Sequence, residues 1–167
     1  MLRKQTGEPP DAAQAFRKAA DYCASQERCL EETRIKMKQW GIDDAVIGST
    51  LDKLTEEGFI DEQRFAAAFA RGKFRMLRWG KIKISLELRL RKIPAGYVTK
   101  ALNEIDPAEY SGILKLLIQK KIKSLGDVTP DTENKVMKYA IGKGFEPELV
   151  RSAIKECIRQ TTGYPEH

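Results

Sequence analysis

A chain of 167 residues with 41% apolar and 32% charged residues is neither disordered by composition nor built to span a bilayer, because no apolar run approaches the ~20 residues such a helix needs. Three cysteines in no C-x-x-C pair, and a single histidine at the terminal position His167, argue against a disulfide framework and a zinc ligand set. The net charge of +6 is uneven along the chain, and its distribution carries more than its size.

Met1 to Pro10 holds Arg3 and Lys4 with no apolar stretch behind them, so it reads as a flexible leader without a secretory signal, and a cytoplasmic location is expected. Asp11 is placed to cap a helix whose apolar residues Ala12, Ala15, Phe16, Ala19, Ala20 and Cys23 fall three and four apart. After a break near Ser25, a second helix runs from Leu30 to Trp40. Glu31 and Glu32 stand in its first turn and Lys36 and Lys38 in its last, and Gly41 ends it. Asp43 is the expected cap of a third helix through Val46, Ile47, Leu51 and Leu54, closed by Gly58.

Asp61 can cap the fourth helix, which carries Phe65, Ala66, Phe69 and Ala70 and extends to Met76 or Leu77. Trp79-Gly80 marks a turn. Beyond it, Ile82, Ile84, Leu86, Leu88 and Leu90 alternate with Lys83, Ser85, Glu87, Arg89 and Arg91, which taken alone reads as a strand. A helix is predicted instead, because Leu, Glu, Lys and Arg are good helix formers and the corresponding segments elsewhere read as helices. Pro94 opens a sixth helix through Tyr97, Val98, Ala101 and Leu102. Asp106-Pro107 and Thr129-Pro130 are cap-and-proline starts for the seventh and eighth, and Pro147 helps start the ninth. Gly126 closes the seventh, and the tail from 161 is expected to fray.

Comparison along the chain shows a repeat. Gly41-Ile42, Lys92-Ile93 and Gly144-Phe145 stand 51 and 52 residues apart, and each is followed by apolar residues at matching offsets: Val46, Ile47 and Leu51; Tyr97, Val98 and Leu102; Leu149, Val150 and Ile154. The expectation is an all-α, elongated chain of three three-helix units, over 11–60, 61–105 and 106–160, sharing one continuous core.

Between Arg71 and Lys92 there are nine basic residues and one acid, Glu87. This local excess of +8 leaves the rest of the chain at −2. Arg71, Lys73, Arg75, Arg78, Lys81, Lys83, Arg89, Arg91 and Lys92 are interleaved with Phe74 and Trp79, a mixture that suits a phosphate backbone and its bases. The same cations could instead line the wet face of packed helices. An enzymatic reading lacks parts: there is no internal histidine, no nucleophile–base pairing and no acidic cage. Gly142-Lys143-Gly144 lacks the remaining residues of a phosphate loop and reads as a helix end.

The run Gly58-Phe59-Ile60-Asp61-Glu62-Gln63-Arg64-Phe65-Ala66-Ala67-Ala68-Phe69-Ala70-Arg71 resembles the signature of the RecX family, and Trp79-Gly80-Lys81-Ile82-Lys83-Ile84-Ser85-Leu86-Glu87-Leu88-Arg89 is similar to its glycine turn and basic helix. Lys92, where the family usually has glycine, and Cys29, at a helix cap, depart from the pattern. The resemblance implies a regulator that lodges in the groove of the RecA filament on single-stranded DNA and restrains recombination, ATP hydrolysis and self-cleavage of the SOS repressor. It implies no catalytic residue, metal or cofactor, and a monomer. The residues expected to grip filament and DNA are Arg64, the nine cations from Arg71 to Lys92, and Trp79 as a stacking or anchoring group; Arg64 could instead pair with Asp61. The alternative is a nonspecific DNA-binding module, for single or double strands, that acts by competition for DNA.

Overall fold

The structure, a computed structural model, describes residues 8–162. It contains nine helices and no strand among them: α1 Ala12–Ser25, α2 Leu30–Gln39, α3 Asp44–Glu56, α4 Glu62–Leu77, α5 Lys81–Leu90, α6 Ala95–Asn103, α7 Pro107–Leu125, α8 Pro130–Gly142 and α9 Pro147–Thr162. The leader expected over 1–10 and the tail over 161–167 fall mostly outside the described residues, and α9 itself continues through Thr162. Asp11, Asp61, Asp106 and Thr129 cap their helices by accepting the backbone N–H three residues on, as the sequence predicts. Asp43 sits at the N-cap of α3 but its carboxylate makes no capping bond.

The repeat has a defined backbone basis. At Gly41, Lys92 and Gly144 the chain turns left-handed, with φ of 77°, 57° and 95°. Each of these N–H groups bonds the carbonyl three residues back at 2.9 Å, and the next N–H, of Ile42, Ile93 or Phe145, bonds the carbonyl five back at 3.1 to 3.2 Å. The three apolar residues are then driven into the core. Lys92 does this without glycine's freedom.

The alternation in α5 is that of a helix apolar on two sides. Ile84 and Leu88 are fully buried, while Ile82, Leu86 and Leu90 face outward.

Substantial helix contacts fall within α1–α3, α4–α6 and α7–α9. No hydrogen bond, ion pair or ring contact among the described residues links the first group to the third, so the second group stands between the other two. The single continuous core expected from the repeat is not formed. Ala15, Met37, Ile47, Leu51 and Leu54 belong to one cluster, and a second runs unbroken from Phe65 and Phe74 to Phe145 and Cys157. The division arises because the first junction is largely ionic. Glu27, Glu31 and Glu32 of the first group meet Arg64, Lys92 and Arg91 of the second at 2.7 to 3.1 Å, and Glu62 accepts from Leu30 N at 3.3 Å. Only the buried Cys29 reaches from the first group into the second cluster. That burial explains a cysteine where a capping hydroxyl would be usual, and it pushes the thiol up to about 11.

The second junction is closed by backbone. Gly80 N donates to Lys143 O at 2.8 Å and Ile82 N to Gly144 O at 3.0 Å. Tyr110 lies beneath, its ring 5.7 Å from that of Phe74 and 5.1 Å from that of Phe145. Its hydroxyl donates to Glu146 Oε2 at 2.6 Å and accepts from Lys81 N at 3.0 Å. Burial, reinforced by Glu146, holds this phenol well above its ordinary pKa. Replacing Tyr110 with Phe strands the first N–H of α5 and a carboxylate oxygen, and is expected to cost about 1–3 kcal/mol in urea unfolding.

Candidate nucleic-acid interface

The basic segment occupies the C-terminal half of α4, the turn Arg78-Trp79-Gly80, and α5. The structure divides its cations into two sets. Arg64 donates to Glu27 Oε1 at 2.7 Å and to Gly58 O at 3.1 Å, rather than pairing with Asp61. Arg75 meets Glu109 at 3.3 Å across the second junction. Arg91 bridges Glu32 at 3.1 Å and Glu87 at 2.8 Å, and Lys92 meets Glu31 at 3.1 Å. Burial pulls the Arg91 pKa down, but hydrogen bonds to Glu87 and Glu32 outweigh it and hold it above the usual arginine value. These four cations are therefore already engaged in joining the groups.

The second set has no carboxylate within ion-pair distance among the described residues: Arg71, Lys73, Arg78, Lys81, Lys83 and Arg89. Three of these surround or adjoin Trp79. The Lys73 ammonium lies 5.1 Å and that of Lys83 4.5 Å from the ring centroid, joining the end of α4 to the start of α5, and Arg78 precedes the tryptophan. Lys81 lies 5.0 Å from the Tyr110 ring centroid. Arg89 is exposed farther along α5. Arg71 stands apart in a cleft of about 290 Å³ that it shares with Arg75, Glu104 and Glu109, where the carboxylates offset its field. Trp79 is half-buried against the second core cluster, so its ring positions two lysines as well as presenting an edge.

Lys143, which the sequence reading treats only as part of a helix end, joins this region. It crosses from the third group to donate to Leu77 O at 3.0 Å, satisfying a carbonyl at the end of α4. No local signal marks it, because the backbone contact beside it joins Gly144 to Gly80, 64 positions away in the chain.

Arg78 adopts a left-handed conformation with φ of 57°, where glycine would be cheaper, and forms no ion pair among the described residues. Replacement of Arg78 by Gly is expected to raise stability by about 1 kcal/mol while weakening single-stranded DNA binding several-fold. Thermal unfolding and anisotropy on a labelled oligonucleotide measure the two effects.

Among the described residues no group of three His, Cys, Asp or Glu side chains could hold a metal ion, and no helix is long and apolar enough to cross a membrane. The arrangement offers a cationic edge with one embedded indole.

Two family models match the chain: the first three-helix domain of RecX over residues 15–54 and the second over 61–102. The chain is 27% identical over 148 residues to the regulatory protein RecX of Prosthecochloris aestuarii, covering 89% of this chain and 96% of that one. It is 24% identical over 157 residues to that of Amycolatopsis mediterranei, covering 91% and 89%. The crystal structure of RecX from Lactobacillus salivarius superposes with a TM-score of 0.78 at 20% identity, covering 87% of this chain and 96% of that one, which shows a shared fold. Two successive domain matches, relatives aligned over nearly their whole length, and the same helical architecture lead to one conclusion: this chain belongs to the RecX family of regulatory proteins.

Proposed function

We propose that the protein binds the RecA filament on single-stranded DNA and restrains its recombinase, ATPase and co-protease activities in DNA repair and the SOS response. In this reading it acts as a cytoplasmic monomer, without catalysis or cofactor. Family membership supports the regulatory role. The observation that carries the DNA-facing part is the set of cations around Trp79 that no carboxylate neutralises, in a segment with a single acid, Glu87, which Arg91 already holds. Three helical groups in succession give reach along a helical groove, and the cationic middle group lies near the phosphates.

Titration of RecA's DNA-dependent ATPase with the protein, run beside binding to bare oligo(dT), tests this reading. It expects inhibition at protein concentrations that leave most bare single strands unbound. Inhibition that appears only as the DNA becomes saturated supports competition for DNA instead. No inhibition together with salt-independent DNA binding removes any role on DNA.

A further inference from the structure

Helix α5 is apolar on a face that the described residues leave largely exposed. Ile82, Leu86 and Leu90 are 51%, 56% and 65% exposed, spaced by four residues so that they form one ridge, roughly 12 Å long at 1.5 Å per residue. No other helix among the described residues exposes three large apolar side chains.

The internal repeat provides a control. At the positions 51 residues earlier stand Glu31, Ile35 and Gln39, and 52 residues later Asn134, Lys138 and Gly142. A ridge needed for the three-helix architecture would be aliphatic in every copy. It is aliphatic throughout only in the copy that carries the unneutralised cations. Around it, Glu87 is held by Arg91 at 2.8 Å, Arg89 is exposed without a carboxylate partner among the described residues, and Lys83 lies over Trp79. The ridge therefore sits in a positive field.

We infer that the Ile82–Leu86–Leu90 ridge is the seat of an apolar segment of a protein partner that carries carboxylates beside its apolar stripe. The inference rests on the reading above and deepens it, the partner being the RecA protomer in the filament. Aliphatic side chains offer bases no planar surface and phosphates no charge, so a nucleic acid gains little there. A second copy of this chain would bring Arg89 and Lys83 against their own kind. An acid-flanked apolar segment gains both burial and charge complementarity. One helix thus divides its work, its cations serving the DNA and the partner's carboxylates and its ridge the partner's apolar stripe.

The test uses the full chain with Leu86→Lys and Leu90→Lys together, and Leu86→Ser alone as a milder variant. Because these side chains are exposed, helicity and Tm should match the wild type. The double variant is expected to inhibit the RecA ATPase about 20-fold more weakly, while its affinity for bare oligo(dT) is unchanged or a few-fold tighter from the added charge. The single variant should show a smaller loss of the same kind. Inhibition within twofold of wild type for both variants overturns the inference and leaves the filament reading standing. Inhibition and DNA affinity falling in step assigns the ridge to nucleic acid and overturns it too, as does a wild-type dimer that the double variant dissociates. A wild-type protein that does not inhibit RecA at all removes the underlying reading and this inference with it.

Discussion

Replacement of Gly80 by Ala lowers the stability of the protein by about 2–6 kcal/mol. A Cβ at Gly80 would run into the backbone carbonyl carbon and oxygen of Gly144 and the amide nitrogen of Phe145. None of these can swing aside as a side-chain tip could. Relief requires separating α5 from the α8–α9 connection, which breaks Gly80 N to Lys143 O and Ile82 N to Gly144 O. Each such bond contributes about 0.5–1.5 kcal/mol net, and forced overpacking adds roughly 1–3 kcal/mol. Because the core of α4–α9 is continuous through Tyr110 and Phe145, the loss should appear as cooperative destabilisation of both groups. Gly72, within α4, is the control: a Cβ there meets nothing within 4 Å, so Gly72→Ala should stabilise by about 0.5–1 kcal/mol. Urea unfolding followed by circular dichroism reads both variants. A Gly80→Ala protein as stable as the wild type would mean that this backbone junction does not exist in solution.

Reversal of Lys73, Arg78, Lys83 and Arg89 to Glu should weaken single-stranded DNA binding by more than about 100-fold and flatten the dependence of log affinity on log salt by about 3, the equivalent of four lost phosphate contacts. None of the four forms an ion pair among the described residues, so the fold should survive. The loss of two ammonium–indole contacts with Trp79 costs about 1–2 kcal/mol. Arg91→Ala should behave in the opposite way. It leaves Glu32 and Glu87 unpaired at the first junction and costs about 1–2 kcal/mol of stability, with DNA affinity changed by less than about threefold. If Arg91→Ala weakens DNA binding as much as the fourfold reversal, the division of the cations into joining and gripping sets is wrong.

Much of the fold is legible in the sequence because its signals are local. The caps at Asp11, Asp61, Asp106 and Thr129 each need only a side chain and the N–H three residues on. The repeat decides α5, since the bonding at Lys92 matches that at Gly41 and Gly144 and terminates a helix in all three places. What stayed hidden depends on residues far apart in the chain. Glu31 and Glu32 are fully accounted for, within α2, as first-turn acids favoured by the helix dipole. Nothing local reveals that they also meet Lys92 and Arg91, so the net charge of the basic segment overstates its free charge. The contact of Gly80 with Gly144 is equally silent, because a glycine in a turn has a sufficient local reason to be there. Asp43 is the converse case, a residue with the right type and position for a cap whose side chain makes no such bond.

The most direct test of a filament-directed regulator follows the RecA ATPase after the protein has inhibited preformed filaments and a large excess of bare oligo(dT) is added. Protein held by filament contacts at the α5 ridge as well as by DNA should stay bound, and the ATPase should remain inhibited. Recovery of ATPase in proportion to the added single strands would contradict this account and leave a DNA-binding module that acts by competition.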